Sequence, residues 1–89
     1  EALNYGVVNA VYQQAKLLRY TVEVAERIAA NAPLAVSATK KSINQAYHRD
    51  IASGYDFELE QYHQVFSSQD RHEGIAAFNA KRKPQFKGE

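Results

Sequence analysis

The 89-residue chain has no cysteine, no methionine and no tryptophan, and only two prolines and four glycines. Without cysteine there can be no disulfide, no thiolate nucleophile and no Cys-ligated zinc. The glycines (Gly6, Gly54, Gly74 and Gly88) are isolated, so no glycine-rich phosphate loop is present. No apolar run approaches the length of a membrane span, and the first residues lack a basic-then-apolar signal. The formal net charge of +1 provides no strong field for a nucleic acid. The missing methionine sets the expectation that the chain is processed or belongs to something longer. At 45% apolar and 24% charged the composition is globular rather than disordered. The length allows one small domain with a modest core.

Apolar spacing organises most of the chain. Val7–Tyr12 is short and β-branched, so it reads as one strand, and a lone strand needs a partner from elsewhere. From about Gln14 the period becomes helical. Leu18, Val22, Ala25 and Ala29 fall in one row, with Leu17, Thr21, Val24 and Ile28 beside it. Pro33 closes this helix, because it disfavours helical geometry at Ala32, and can open a second one as its first residue. The second helix reaches about His48. Its many small residues, Ala35, Ala38 and Ala46 among them, permit close approach by another helix. Ser53-Gly54 reads as a break, after which Asp56 is expected to cap a third helix. Tyr55, Leu59, Tyr62 and Phe66 form that helix's apolar stripe, which is expected to face a core. Asp70 and Glu73 have the spacing of a capping box at the start of a fourth helix ending near Arg82. Pro84 stops it, and the tail after it is expected to be loose, apart from Phe86. The expected fold class is therefore mainly α, with one short N-terminal strand followed by about four helices.

Few residues form a chemically suggestive group. Glu60 and His63 make one Glu-x-x-His pair, whereas di-iron bundles need two such pairs and two further glutamates, so no metal site is expected. Glu58 and Glu60 are two apart on a helix and face different ways, as solvated surface would. No serine sits in a nucleophile-elbow sequence, and His48, His63 and His72 have no nucleophile beside them. The charge is uneven, however. Residues 71–89 carry Arg71, Lys81, Arg82, Lys83 and Lys87 against Glu73 and Glu89, which leaves +3 at the C-terminal end. Phe78 and Lys81 are three apart and would share a helical face, as a seat for an adenine and a phosphate could. The alternative is that Phe78 is core and the lysines are solvated ends of a helix whose dipole favours cations there.

The stretch from Asp70 to Gly88, DRHEGIAAFNAKRKPQFKG, closely resembles the terminal signature of the enoyl-CoA hydratase/isomerase (crotonase) family. Glu1–Val11, Ala25–Ala29 and Ala38–Asn44 are similar to family segments in the same order and spacing. The resemblance implies that residues 1–13 are the end of the family's core-domain region, including a strand, and that 14–89 are its helical C-terminal oligomerisation region. It implies a homo-oligomer, a trimer or a hexamer of paired trimers, and an acyl-CoA substrate. No separate cofactor is implied, since coenzyme A is part of the substrate. An oxyanion hole and the catalytic carboxylates would lie outside this segment, so no residue here inherits a catalytic role. Phe78 and Lys81 match an aromatic and a lysine that help hold the adenine and ribose-phosphate end of CoA. Tyr62 matches an aromatic that lines the acyl pocket in some members, although its place on the stripe favours core packing.

The expected function is that of a C-terminal assembly and CoA-contacting segment of an acyl-CoA enzyme, the parent hydrating a trans-2-enoyl-CoA and the segment alone inactive. The alternatives are another crotonase chemistry in the parent (isomerase, thioester hydrolase or dihydroxynaphthoyl-CoA synthase) and a stand-alone helical interaction module. No nucleic-acid partner and no membrane span are expected. The compartment suggested is the cytoplasm, with an organellar matrix open if a targeting peptide was removed.

Overall fold

The computed structural model describes residues 1–89 and contains four helices in chain order: α1 Gln14–Ala29, α2 Pro33–Gln45, α3 Ile51–Phe66 and α4 Gln69–Asn79. The mainly helical class and the helix count are as expected. The N-terminal strand is not formed. Residues 2–7 make a single turn closed by Gly6 at φ +70°, and residues 8–13 run on without a ladder. β-branched residues favour a strand only where a neighbouring strand supplies hydrogen bonds and packing, and this chain has none.

α1 starts where its pattern does. At its other end the Asn31 side-chain amide donates to the carbonyls of Arg27 (2.9 Å) and Ile28 (3.1 Å), which satisfies two of the carbonyls that a helix end leaves open. None of its residues is buried. Pro33 opens α2 in its first turn, where a missing N–H costs nothing.

α3 departs from expectation. It begins at Ile51 and runs straight through Ser53-Gly54, so Asp56 is an interior residue and not a cap. The cap is Asp50, whose Oδ1 accepts the Ser53 N–H at 2.9 Å. That hydrogen bond also holds the Asp50 carboxyl below its usual range. A good cap four residues upstream outweighs one glycine within the first turns.

The expected direction of the α3 stripe is also reversed. Tyr55, Leu59, Tyr62 and Phe66 are 46–67% exposed. α3 instead lies against α2, and the groove between them is lined by Glu58, Gln61, Tyr62 and Val65 on one side and Ala35, Ala38, Ser42 and Ala46 on the other. The small residues of α2 let the two helices approach closely, and this is the only extensive helix–helix contact in the chain. Gln61 sits in it at 5% exposure, its Oε1 without a hydrogen-bond partner.

The result is a slab of 42 × 39 × 18 Å with almost no core. Only Gln61, Ser68, Asp70 and Ala77 are buried, and Ala77 alone is apolar. The radius of gyration is 16.6 Å, against about 12 Å for a compact chain of this length. The accessible surface is 7733 Å², against about 5,200 Å² for a folded monomer of this mass. No helix is long and apolar enough to cross a membrane.

Apart from its chain neighbours and its own helical backbone, no atom lies within 4 Å of a Cβ built at Gly54. Gly54→Ala is therefore expected to raise the stability of the chain by about 0.5–1 kcal/mol through backbone entropy alone. Urea denaturation followed by circular dichroism checks this. A loss of stability would mean that the start of α3 is more crowded than the structure has it.

Candidate functional site

The C-terminal candidates lie on a turn that α4 and the tail build together. α4 is capped by Ser68, whose Oγ accepts the Arg71 N–H at 3.2 Å. The expected capping box at Asp70 and Glu73 is therefore not formed. Ser68 occupies the cap position two residues earlier, which frees both carboxylates for longer-range bonds.

Those bonds reach the tail. Asp70, 2% exposed, accepts the backbone N–H of Lys87 at Oδ1 (2.7 Å) and of Gly88 at Oδ2 (2.8 Å). The Asp70 N–H in turn donates to the Glu89 carbonyl at 3.0 Å. Glu73 accepts both terminal nitrogens of Arg82, at 2.6 and 2.9 Å, and the Gln85 N–H at 2.7 Å. The tail is thus tied down, not loose. Phe86 is half-buried, with its ring 3.6 Å from where a Gly74 Cβ would stand. Gly88, at φ +80°, passes equally close to Pro33 at the start of α2. A Cβ at either glycine would stand in ordinary van der Waals contact with these neighbours, and only the positive φ of Gly88 would strain a side chain there.

α4 ends at Asn79, short of the expected Arg82. The Lys81 N–H donates to the Phe78 carbonyl (3.1 Å) and the Arg82 N–H to that of Ala77 (3.0 Å). This pair is a Schellman motif, in which the residue after the cap must be left-handed. That residue is Lys81, at φ +52°. Phe78 and Lys81 therefore do not share a helical face. They stand three residues apart around a turn, with Phe78 83% exposed and so not core. Lys81 is exposed too, and takes no part in the ion pairs Arg19–Glu23, Arg82–Glu73 and Lys87–Glu89.

Tyr62 lies apart from this turn. It is 55% exposed on the rim of the α2–α3 groove, tilted against Phe66 at 5.8 Å between ring centroids. The core packing expected of it is absent. Glu60 and His63 gain no third metal ligand, because no cluster of three or more such side chains forms.

Sequence reasoning missed Asp70 as a receptor for the tail and Lys81 as a left-handed residue. A glycine would have signalled the second; a lysine signals nothing. Glu73 with Arg82, nine residues apart across a helix end, is a pair that periodicity cannot bring out.

The sequence model of the enoyl-CoA hydratase/isomerase family matches residues 1–89. The chain belongs to that family. It is 39% identical over 83 residues to a short-chain-enoyl-CoA hydratase of Clostridium acetobutylicum, covering 93% of this chain and 32% of that protein. It is 37% identical over 92 residues to a carnitinyl-CoA dehydratase of Salmonella typhimurium, covering 99% and 35%. The crystal structure of an enoyl-CoA hydratase from Bacillus anthracis is similar at a TM-score of 0.96 and 39% identity, over 99% of this chain and 34% of that one. The chain spans about a third of the length of these relatives.

The Arg82 guanidinium, followed by the Gln85 N–H, pulls the Glu73 carboxyl from 4.5 down to about 2. Because the folded value lies below the unfolded one, the tie stabilises fully above pH about 4.5 and is lost as pH falls through about 2. The Gln85 amide resonance is expected to titrate with a midpoint near 2. A midpoint near 4.5 would show that Glu73 does not hold the tail.

Proposed function

We propose that this chain is the C-terminal assembly and CoA-contacting segment of an acyl-CoA enzyme whose whole polypeptide hydrates a trans-2-enoyl-CoA. The observation that carries the reading is the slab's surface. About 2,500 Å² more is accessible than a folded monomer of this mass exposes, an amount on the scale of an obligate interface. The uncovered faces are apolar, among them Leu17, Leu18, Val22 and Ile28 on α1 and Tyr55 and Leu59 on α3. Residues 1–13 would close the core region, and there the Val7–Tyr12 segment would find a partner strand. Residues 14–89 would pack on that region and on neighbouring subunits of a trimer or hexamer.

In this reading the Lys81 ammonium meets the phosphate of the adenosine end of CoA, and the exposed Phe78 ring offers the adenine a stacking face. Tyr62, on the rim of its groove, would line the acyl pocket. Activation of the thioester and handling of water and proton belong to the rest of the enzyme, so no residue here is assigned a catalytic role and no cofactor beyond the CoA of the substrate is called for. A cytoplasmic site of action fits a chain without cysteine, which gains nothing from an oxidising compartment. A second reading, a different acyl-CoA chemistry in the whole enzyme, is favoured by one observation. Relatives named for hydration of an enoyl-CoA and for dehydration of carnitinyl-CoA match this segment almost equally well. The segment would then serve assembly and CoA binding whatever the reaction.

The test is hydration of crotonyl-CoA, followed by loss of the enoyl thioester's ultraviolet absorbance. The 89-residue chain alone is expected to show no turnover and the polypeptide that includes its upstream frame to show it; turnover by the short chain would overturn the proposal. Light scattering is expected to find the isolated chain self-associated above 10.0 kDa. A strict monomer at high concentration would argue against an assembly role.

Lys81→Gly is expected to move two readouts in opposite directions. Relief of the left-handed lysine should raise stability by up to about 1 kcal/mol. Removal of the ammonium should weaken binding of adenosine 3′,5′-bisphosphate, as read by calorimetry. Unchanged binding would remove Lys81 from the CoA site.

A further inference from the structure

We propose that Asp70 and Glu73 are positioning residues for the Lys81 ammonium: by holding the tail they keep the turn after α4 closed and Lys81 left-handed. The importance of that ammonium rests on the reading of Lys81 as a CoA contact, but the geometry of the clamp does not.

The same turn occurs twice in this chain. At the N-terminal end the Gly6 N–H donates to Leu3 and the Val7 N–H to Ala2, and the left-handed residue is glycine. After α4 the Lys81 N–H donates to Phe78 and the Arg82 N–H to Ala77, and the left-handed residue is lysine. The two backbone hydrogen bonds are alike, so they do not account for the lysine. A β-carbon in that conformation crowds the adjacent carbonyl, and the strain persists only where the surroundings over-determine the backbone.

The surroundings differ in this respect. Beyond Gly6 the chain runs on exposed, with no side-chain hydrogen bond back to the turn; its first anchor is the Tyr12 ring stacked on Tyr20, six residues away. Beyond Lys81 four residues are tied back to α4: Arg82 and Gln85 to Glu73, and Lys87 and Gly88 to Asp70. These ties fix both flanks of the turn, because the carboxylates stand on the helix that leads into it. The side of α4 bearing Asp70, Gly74 and Ala77 is filled by this arrangement, with the Phe86 ring on Gly74 and Ala77 1% exposed.

The clamp also sorts the cations. Glu73 engages Arg82 through both nitrogens, so the guanidinium is turned toward α4. Lys81 and Lys83, on either side of it, enter no ion pair. Of three consecutive cations, the acidic residue removes the middle one and leaves two ammoniums at the apex for an anionic ligand. A turn without the clamp would present three mobile cations and no fixed direction.

The test is nuclear magnetic resonance of the isotopically labelled 89-residue chain, in the assembly it forms. A left-handed residue gives a strong intraresidue amide-to-Hα cross-peak, which reads Lys81 directly. Glu73→Gln keeps the shape of the side chain and removes its charge. It is expected to abolish that signature while the α2 and α3 resonances stay in place. Deletion of residues 85–89 removes the tail's donors without touching a helix, and answers the question should Glu73→Gln disturb folding. Affinity for adenosine 3′,5′-bisphosphate is expected to fall about tenfold in both variants. Lys81 remaining left-handed in the variant and in the truncated chain would overturn the proposal, because a merely structural role would lower stability and leave Lys81 where it is. Loss of the signature in a chain whose unaltered form does not bind the nucleotide would uphold the clamp and reject the CoA reading instead.

Discussion

Asp70 lies 2% exposed in the first turn of α4 and accepts two backbone N–H groups from residues seventeen and eighteen positions further along. In a chain with a single buried apolar residue, such bonds hold the last quarter in place where a core would do so elsewhere. Hydrogen bonds to a charged acceptor contribute about 1.5–3 kcal/mol each, more than a neutral pair, and burial raises the cost of leaving them unmade. The consequences spread outward from the carboxylate. The tail returns along α4, the Phe86 ring lies over Gly74, and Gly88 comes beside the Pro33 ring at the start of α2. The turn at Lys81 closes because both of its arms are held.

The rest of the slab follows a different rule. α2 and α3 meet through small side chains and one buried glutamine, whereas Tyr55, Leu59 and Phe66 stay about half exposed or more and Tyr62 reaches only the rim of the groove. Burying a large apolar side chain stabilises a fold by about 1.5–3 kcal/mol, so a sequence that turns so many of them outward leaves most of its hydrophobic free energy unrealised within its own 89 residues. Gln61 Oε1, buried without a donor, belongs to the same pattern: the α2–α3 contact by itself does not satisfy every group it encloses.

Family membership and this architecture bear on one another. A TM-score of 0.96 to about a third of a hydratase means that the helices take nearly the same arrangement here as in a much longer chain. Loose internal packing is then compatible with a defined shape, because caps, short connections and the tail clamp are all local or helix-to-tail features. Enzymes named for different acyl-CoA reactions match this chain at 37–39% identity, so the match by itself does not select among those reactions. In this chain the exposed apolar faces and the turn carrying Phe78 and Lys81 are the features on which the proposed role in assembly and CoA contact rests.

What the sequence determined by itself is what local chemistry determines. Period-3.6 spacing, Pro33 and the small residues of α2 made three helices and one close contact legible, and the ordered match of the C-terminal signature made the family legible. The strand at Val7–Tyr12 failed because strand propensity needs a partner that the chain does not contain. The α3 stripe was located correctly and turned the wrong way, since periodicity identifies an apolar face without saying which surface covers it. Asp70 and Glu73 were assigned to a cap that Ser68 occupies, and short acceptors near a helix start are interchangeable in sequence. Only the tertiary structure decided that the tail folds back, that Glu73 takes Arg82, and that Lys81 is left-handed. The first two depend on groups nine to eighteen residues apart meeting at hydrogen-bond distance, and the third on a local turn that the lysine itself does not signal.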